Sequence, residues 1–287
     1  MDIVIRRGKV EDAAQCTAIF YEAFKTVAKQ HNFPPDVTLP DSGTASAWSK
    51  RFSTPAFYVV VAELDGRIVG SNILDERDSI AGVGPLTIDS SVQDNKVGRR
   101  LMEDVLRRSA EKQHPGVRLV QAAYNRRSLV LYAKLGFEVR EMLVSMQGPP
   151  LHSQIPGHEI RPATKTDLDF CNQMCNRVHG HERGGALLDA IEQGTATVVE
   201  SGDRITGYAT VIGFPGHAVG ESNDDLKALI GAAPEFVGPA GFLLPTRNGE
   251  LFRWCLQNGL KVVQPMTLMS LGLYNEPSGS FLPSIYY

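Results

Sequence analysis

Between Val83 and Met102 the chain passes from an apolar run through a polar turn into a helical pattern, an order that few folds accept with these residues. Val83 to Ile88 reads as one buried strand, and Asp89 to Asn95 as the turn that ends it. From Lys96 onward, Val97, Leu101, Val105 and Leu106 recur at helical spacing, with Arg and Glu between them. A helix beginning directly after a strand presents backbone N–H groups with no internal partner and the positive end of its dipole, and both favour an anion. Gly98 has no Cβ, so a ligand can come close to the backbone there. Lys96, Arg99, Arg100, Arg107 and Arg108 add positive charge around the same helix. The stretch is expected to cradle phosphate. A Rossmann dinucleotide fold is excluded because no Gly-x-Gly-x-x-Gly is present, and a nucleotide P-loop for want of Gly-Lys-Ser/Thr.

Downstream, the block Asn-x-x-Ser-x-x-Leu-Tyr-x-Lys-Leu-Gly-Phe runs from Asn125 to Phe137. With Gln93-Asp-Asn-Lys-Val-Gly98 it resembles the GNAT superfamily of acyl-CoA-dependent N-acyltransferases, whose pyrophosphate loop has the form Gln/Arg-x-x-Gly-x-Gly/Ala. Here lysine stands at the first glycine. The resemblance implies that Gln93, Asp94, Asn95, Lys96, Val97, Gly98 and Arg99 hold the phosphates of coenzyme A, and that Asn125, with Ser128, meets its pantetheine arm. Backbone N–H groups at Leu86, Thr87 and Ile88 would polarise the thioester carbonyl. Tyr132 lies on the amphipathic helix of the second block. Its phenol is the expected general acid, protonating the thiolate that leaves.

The rest of the chain bounds this reading. At 287 residues it has room for two domains of ordinary size. A net charge of −3 gives no overall basic field, so nucleic acid is not an expected partner. Cys16, Cys171, Cys175 and Cys255 show no paired spacing and read as reduced, buried thiols. With no signal-like start and no apolar run of membrane-spanning length, the protein is expected in the cytoplasm, with no membrane partner.

In order, a strand at Ile3–Ile5 precedes a helical pattern from Glu11 to about Lys29, then a Pro, Asp, Ser and Thr-rich loop from His31 to Ser46 with a short helix near Trp48. GNAT relatives cap the acceptor site with this region. Ala56–Glu63 and Arg67–Leu74 form a hairpin through Asp65-Gly66, and a second turn follows at Asp75–Asp78. The stretch from Gln147 to Gly157 breaks every pattern. Beyond it the sequence restates the first half: Ile160-Arg161 matches Ile5-Arg6, Gly202–Gly207 matches Asp65–Gly70, and Asn248 and Gly259 keep the 11-residue spacing of Asn125 and Gly136. A repeat this long means tandem domains of like fold. The expectation is an α/β (α+β) protein of two GNAT-like domains, each a mixed, mostly antiparallel sheet flanked by helices. Residues 1–147 would form the acetyltransferase domain, 148–158 the linker and 159–287 a degenerate copy. In that copy Cys255 stands where Tyr132 does, and the loop region Ser222–Lys227 carries two acids and no glycine.

For the general base, Asp75, Glu76 and Asp78 on the second turn are candidates, represented by Glu76; His217, Glu221 and a relayed water remain alternatives. His217, Glu221 and Arg247 are the expected contribution of the second half to the acceptor site. His179 and His181, at spacing two with no third ligand, predict no metal. No Cys or Ser stands in a nucleophile context, so the expected reaction is direct attack of a small-molecule amine on acetyl-CoA. The alternative is a non-catalytic acyl-CoA-binding regulator.

Overall fold

The computed structural model describes residues 3–35, 37, 42–92 and 95–286. The first half runs β1 (Ile3–Arg7), α1 (Ala13–Gln30), α2 (Ser42–Ser53), β2 (Phe57–Leu64), β3 (Arg67–Asp75), β4 (Ala81–Val83) and β5 (Thr87–Ile88). It continues with α3 (Val97–Glu111), β6 (Gly116–Ala122), α4 (Arg126–Lys134) and β7 (Glu138–Gln147). The second half follows with β8 (Glu159–Pro162), α5 (Leu168–His179), α6 (Gly184–Glu192), β9 (Thr197–Ser201), β10 (Arg204–Ala209) and β11 (Ala218–Gly220). Then come α7 (Asn223–Ala232), β12 (Phe242–Pro245), α8 (Gly249–Gln257), β13 (Lys261–Gly272) and β14 (Ser280–Leu282).

Two features depart from the sequence reading. The run Val83–Ile88 is broken into two strands at Gly84-Pro85, where Gly84 has a φ of 131° and the peptide is cis. Proline has no N–H for the ladder, so pairing stops and resumes at Thr87. The segment placed in a loop before Trp48 is helical from Ser42, while residues 36 and 38–41 lie outside the described residues.

Local detail recurs between the halves. Arg6 donates to Asp12 at 2.7 and 2.9 Å and to Glu63 at 2.7 Å. Arg161 donates to Asp167 at 2.8 and 2.9 Å and to Glu200 at 2.8 Å. Asn125 caps α4 by accepting from the Ser128 N–H at 3.2 Å, as Asn248 caps α8 by accepting from Leu251 at 3.3 Å. Gly136 and Gly259, which end these helices, have φ of 92° and 86°, where a Cβ is penalised.

The sheets, however, do not respect the halves. One sheet runs β1-β2-β3-β4-β6-β13-β7-β12, with β5 on β3; the other runs β14-β11-β10-β9-β8. So β13 lies between β6 and β7, antiparallel to both, and β7 in turn lies between β13 and β12. The second half thus completes the first half's sheet, while the five-stranded sheet is built from second-half strands alone. In the first half α3 and α4 cover one face, burying Val97, Leu101, Val105 and Tyr132 against Val60, Val69 and Leu119. On the other face α1 and α2 bury Cys16, Trp48 and Phe52 against Val59 and Ile73. The segment after β7 is not a free tether: Leu151 and Ile155 pack on the second half's core. No helix among the described residues is long and apolar enough to cross a membrane.

Candidate active site

A cleft in the first sheet positions the site. β4 and β6 are parallel and pair at Ala81–Val117 and Gly82–Arg118. Past that point the chain turns at Gly84-Pro85 and β5 pairs only with β3, so among the described residues β6 has no partner on this side from Leu119 to Ala122. The start of α3 stands at the open end. A Cβ on Gly98 would lie 2.7 Å from Ile88 Cδ1 and 3.5 Å from Leu131 Cδ2, so glycine also lets α3 sit close to β5 and α4 without displacing the end of the Ile88 side chain.

The lysine at the loop's first glycine position also acquires a reason. Lys96, the residue before α3, sits at φ 59°, ψ 14°, a left-handed conformation that costs an L-residue about 1–2 kcal/mol. Glycine adopts it freely. Lys96→Gly is therefore expected to raise stability by about 0.5–1 kcal/mol, after the larger entropy that glycine gives the unfolded chain. Urea unfolding measures this, and a loss of stability would refute it.

Of the other loop residues, Gln93 and Asp94 lie outside the described residues. Asn95 donates from its side chain to the Val92 carbonyl at 3.3 Å, Val97 is buried, and Arg99 pairs with Glu103 at 2.8 Å on the outer face of α3. Thr87 is buried with its hydroxyl 3.0 Å from that of Ser71, while Leu86 and Ile88 are half-buried and pack on the first core. Tyr132 is buried, its ring 6.1 Å from that of Phe137. Burial holds its phenol well above the ordinary tyrosine range, so it stays protonated at any working pH.

At the end of β6 the structure brings Ser128 together with residues that the sequence reading did not single out. Tyr124 stacks on Phe33 at 4.1 Å and lies 5.2 Å from His31, so the chain leaving α1 covers this end of the cleft from the α1–α2 face. The Tyr124 hydroxyl donates to Gln264 of β13 at 2.9 Å, and Gln121 donates to Thr267 of β13 at 2.6 Å. Ser128 donates to Gln121 at 2.7 Å. The polar Gln264 and Thr267 within a mostly apolar strand were the available signal.

The candidate base requires correction. Arg108 donates twice to Glu76, at 2.7 and 3.0 Å, and lies on α3 about 16 Å along the helix from Val97. Glu76 thus belongs to the end of the sheet opposite the open cleft. Its neighbours are also committed: Arg77 bridges Asp75 at 2.6 Å and Asp189 at 2.7 Å, and Asp78 accepts from the Gly185 N–H at 2.8 Å. These carboxylates fasten the turn to α6.

His217, Glu221 and Arg247 likewise do not gather at Tyr132. His217 is buried with Nε2 3.2 Å from the Tyr208 hydroxyl. Burial, helped by Arg183, keeps its imidazole neutral. Glu221 pairs with Arg204 at 2.7 Å. Arg247 pairs with Glu141 at 2.6 Å just past β12, which two strands separate from β6, about 14 Å away. Sequence order had placed these residues; the shared sheet places Gln264 and Thr267 instead.

Residues 29–152 match the sequence profile of the acetyltransferase (GNAT) domain. The first half carries a GNAT acetyltransferase domain. Among solved structures, a presumed acetyltransferase from Pyrococcus horikoshii shares the fold of nearly the whole chain, at TM-score 0.75 and 16% identity over 96% of this chain and 91% of that one. The PaiA N-acetyltransferase of Thermoplasma acidophilum, in complex with coenzyme A, matches at TM-score 0.41 and 18% identity over 49% of this chain and 92% of that one. A presumed acetyltransferase from Salmonella typhimurium, with acetyl-CoA, matches at TM-score 0.44 and 18% identity over 50% of this chain and 84% of that one. No curated protein matches the chain. Among the described residues, no group of three or more His, Cys, Asp or Glu is placed to hold a metal ion.

Proposed function

We propose that the chain moves an acyl group, most simply acetyl, from coenzyme A to the amine of a small molecule. The observation that carries this is the divergence of β5 from β6 beside the start of α3. The phosphates lie at the α3 N-terminus, where unpartnered N–H groups and the dipole favour them. The pantetheine arm runs between β5 and β6 and uses backbone groups that no strand occupies. The acceptor enters from the α1–α2 face past Phe33 and Tyr124. Its nitrogen attacks the thioester carbon, the C–S bond breaks, and the thiolate takes the Tyr132 proton. A relayed water takes the proton of the amine, since the turn carboxylates are engaged elsewhere.

The second half, within the proposed division 1–147, 148–158 and 159–287, binds no coenzyme A. The start of α7 is satisfied by its own residues: Asp225 accepts from the Ser222 N–H at 2.8 Å and from its hydroxyl at 2.7 Å. β14 pairs with β11 where β6 pairs with β4 in the first half, and a buried Cys255 stands in place of the tyrosine. Titration calorimetry should find one coenzyme A per chain, and free-thiol release from acetyl-CoA should rise with a suitable amine from a chemically varied panel. Two molecules bound per chain would refute the assignment of the halves. Binding without thiol release across the panel would leave only the regulator reading.

A further inference from the structure

We propose that Thr267, carried from the second half into the first by β13, is a positioning residue for the pantetheine arm of coenzyme A. This rests on the reading of the first half as the coenzyme A site. Thr267 acts through two side chains. Its hydroxyl oxygen accepts from Gln121 Nε2 at 2.6 Å, which turns Gln121 Oε1 toward Ser128, whose hydroxyl donates to it at 2.7 Å. The same hydroxyl lies 2.9 Å from the Asn125 carbonyl, and the Ser128 N–H donates to Asn125 Oδ1 at 3.2 Å. Thr267 and Gln121 are only 5% and 6% exposed, so water does not readily replace either partner.

The chain of bonds has a direction. An amide has a donor end and an acceptor end, and the two can exchange by a flip. With Thr267 holding the donor end, Ser128 meets an acceptor and its hydroxyl hydrogen points at Gln121. Without that hold the amide is free to turn its NH2 to Ser128, and the hydroxyl must then rotate its hydrogen elsewhere. Gln121 lies in the part of β6 left unpaired by β5, and Ser128 and Asn125 form the first turn of α4 beside it. Donor and acceptor polarity along the proposed course of the arm is thus set from the other half of the molecule.

The test uses the full-length protein and two ligands: coenzyme A, and its phosphoadenosine diphosphate fragment, which keeps the phosphates and lacks the arm. In Thr267→Val, coenzyme A is expected to bind about tenfold more weakly, while the fragment binds within about twofold of wild type. Thr267→Ser, which restores the hydroxyl, should recover the affinity. Should the valine variant not fold, Gln121→Met removes both links with little change of volume and should show the same split. Unchanged coenzyme A affinity, or equal losses for both ligands, overturns the inference and leaves coenzyme A binding standing. A wild-type protein that binds no coenzyme A removes the underlying reading and this inference together.

Discussion

A chain ending at residue 157 is expected not to fold. It would keep the whole region matched to the GNAT domain and still lack β13. From Met266 to Gly272 that strand is the partner of β6, and from Lys261 to Ser270 it is the partner of β7. Removing it leaves two facing strand edges unpaired in the middle of a sheet. It also removes Met266, Leu268 and Met269, each 1% exposed, from the first half's cores. At about 1.5–3 kcal/mol for each fully buried side chain, this loss alone approaches the 5–15 kcal/mol that a typical domain has in total. Circular dichroism during urea unfolding should show no cooperative transition in the fragment, and a dye for exposed apolar surface should bind it. A sharp transition with wild-type coenzyme A affinity would show that the first half closes its own sheet by another route.

Tyr132→Phe is expected to lower turnover by about a hundredfold or more, the range that a positioned general acid supplies. The change removes one oxygen from a buried ring packed beside Phe137, so volume and packing are nearly kept. Burial raises the pKa of the phenol, so no deprotonated fraction exists near neutrality for the substitution to mimic. The loss should therefore appear in kcat at every pH between 6 and 9 (the lower end lies roughly four units below an ordinary phenol), with coenzyme A affinity retained. Full activity in the phenylalanine variant would pass the role to water.

How much of this was legible in the sequence differs from element to element. The anion-favouring start of α3 and the capping of α4 by Asn125 are written locally, in a few consecutive residues with fixed dihedral demands. Such signals survive any tertiary arrangement. The same holds for Arg6-to-Asp12 and Arg161-to-Asp167, where short spacing brings the partners together on each pass of the repeat. Glu76 was misplaced because a turn next to a catalytic strand in sequence can lie at the wrong end of it. A strand advances about 3.3 Å per residue, so a few residues decide the matter. The break at Gly84-Pro85 had a visible proline, but a continuous apolar run outweighed it. Gln264 and Thr267 stood out only by their polarity, and their place beside β6 was not legible: no local pattern records which sheet a strand will join. Lys96 is instructive in another way, since a departure from the family's loop pattern keeps the backbone geometry that the pattern exists to permit.

The position of β13 also sets a clock on synthesis. β6 and β7 leave the ribosome long before their common neighbour, and 125 residues separate Gln147 from Gly272. At about 5–20 residues per second, that interval lasts roughly 6–25 s. Throughout it the nascent chain holds two open strand edges, the kind of surface that pairs with whatever strand is nearest. The neighbouring chain on a crowded polysome carries an identical pair. Slowing translation after residue 147 would lengthen the exposure, whereas the finished protein would be indifferent to it.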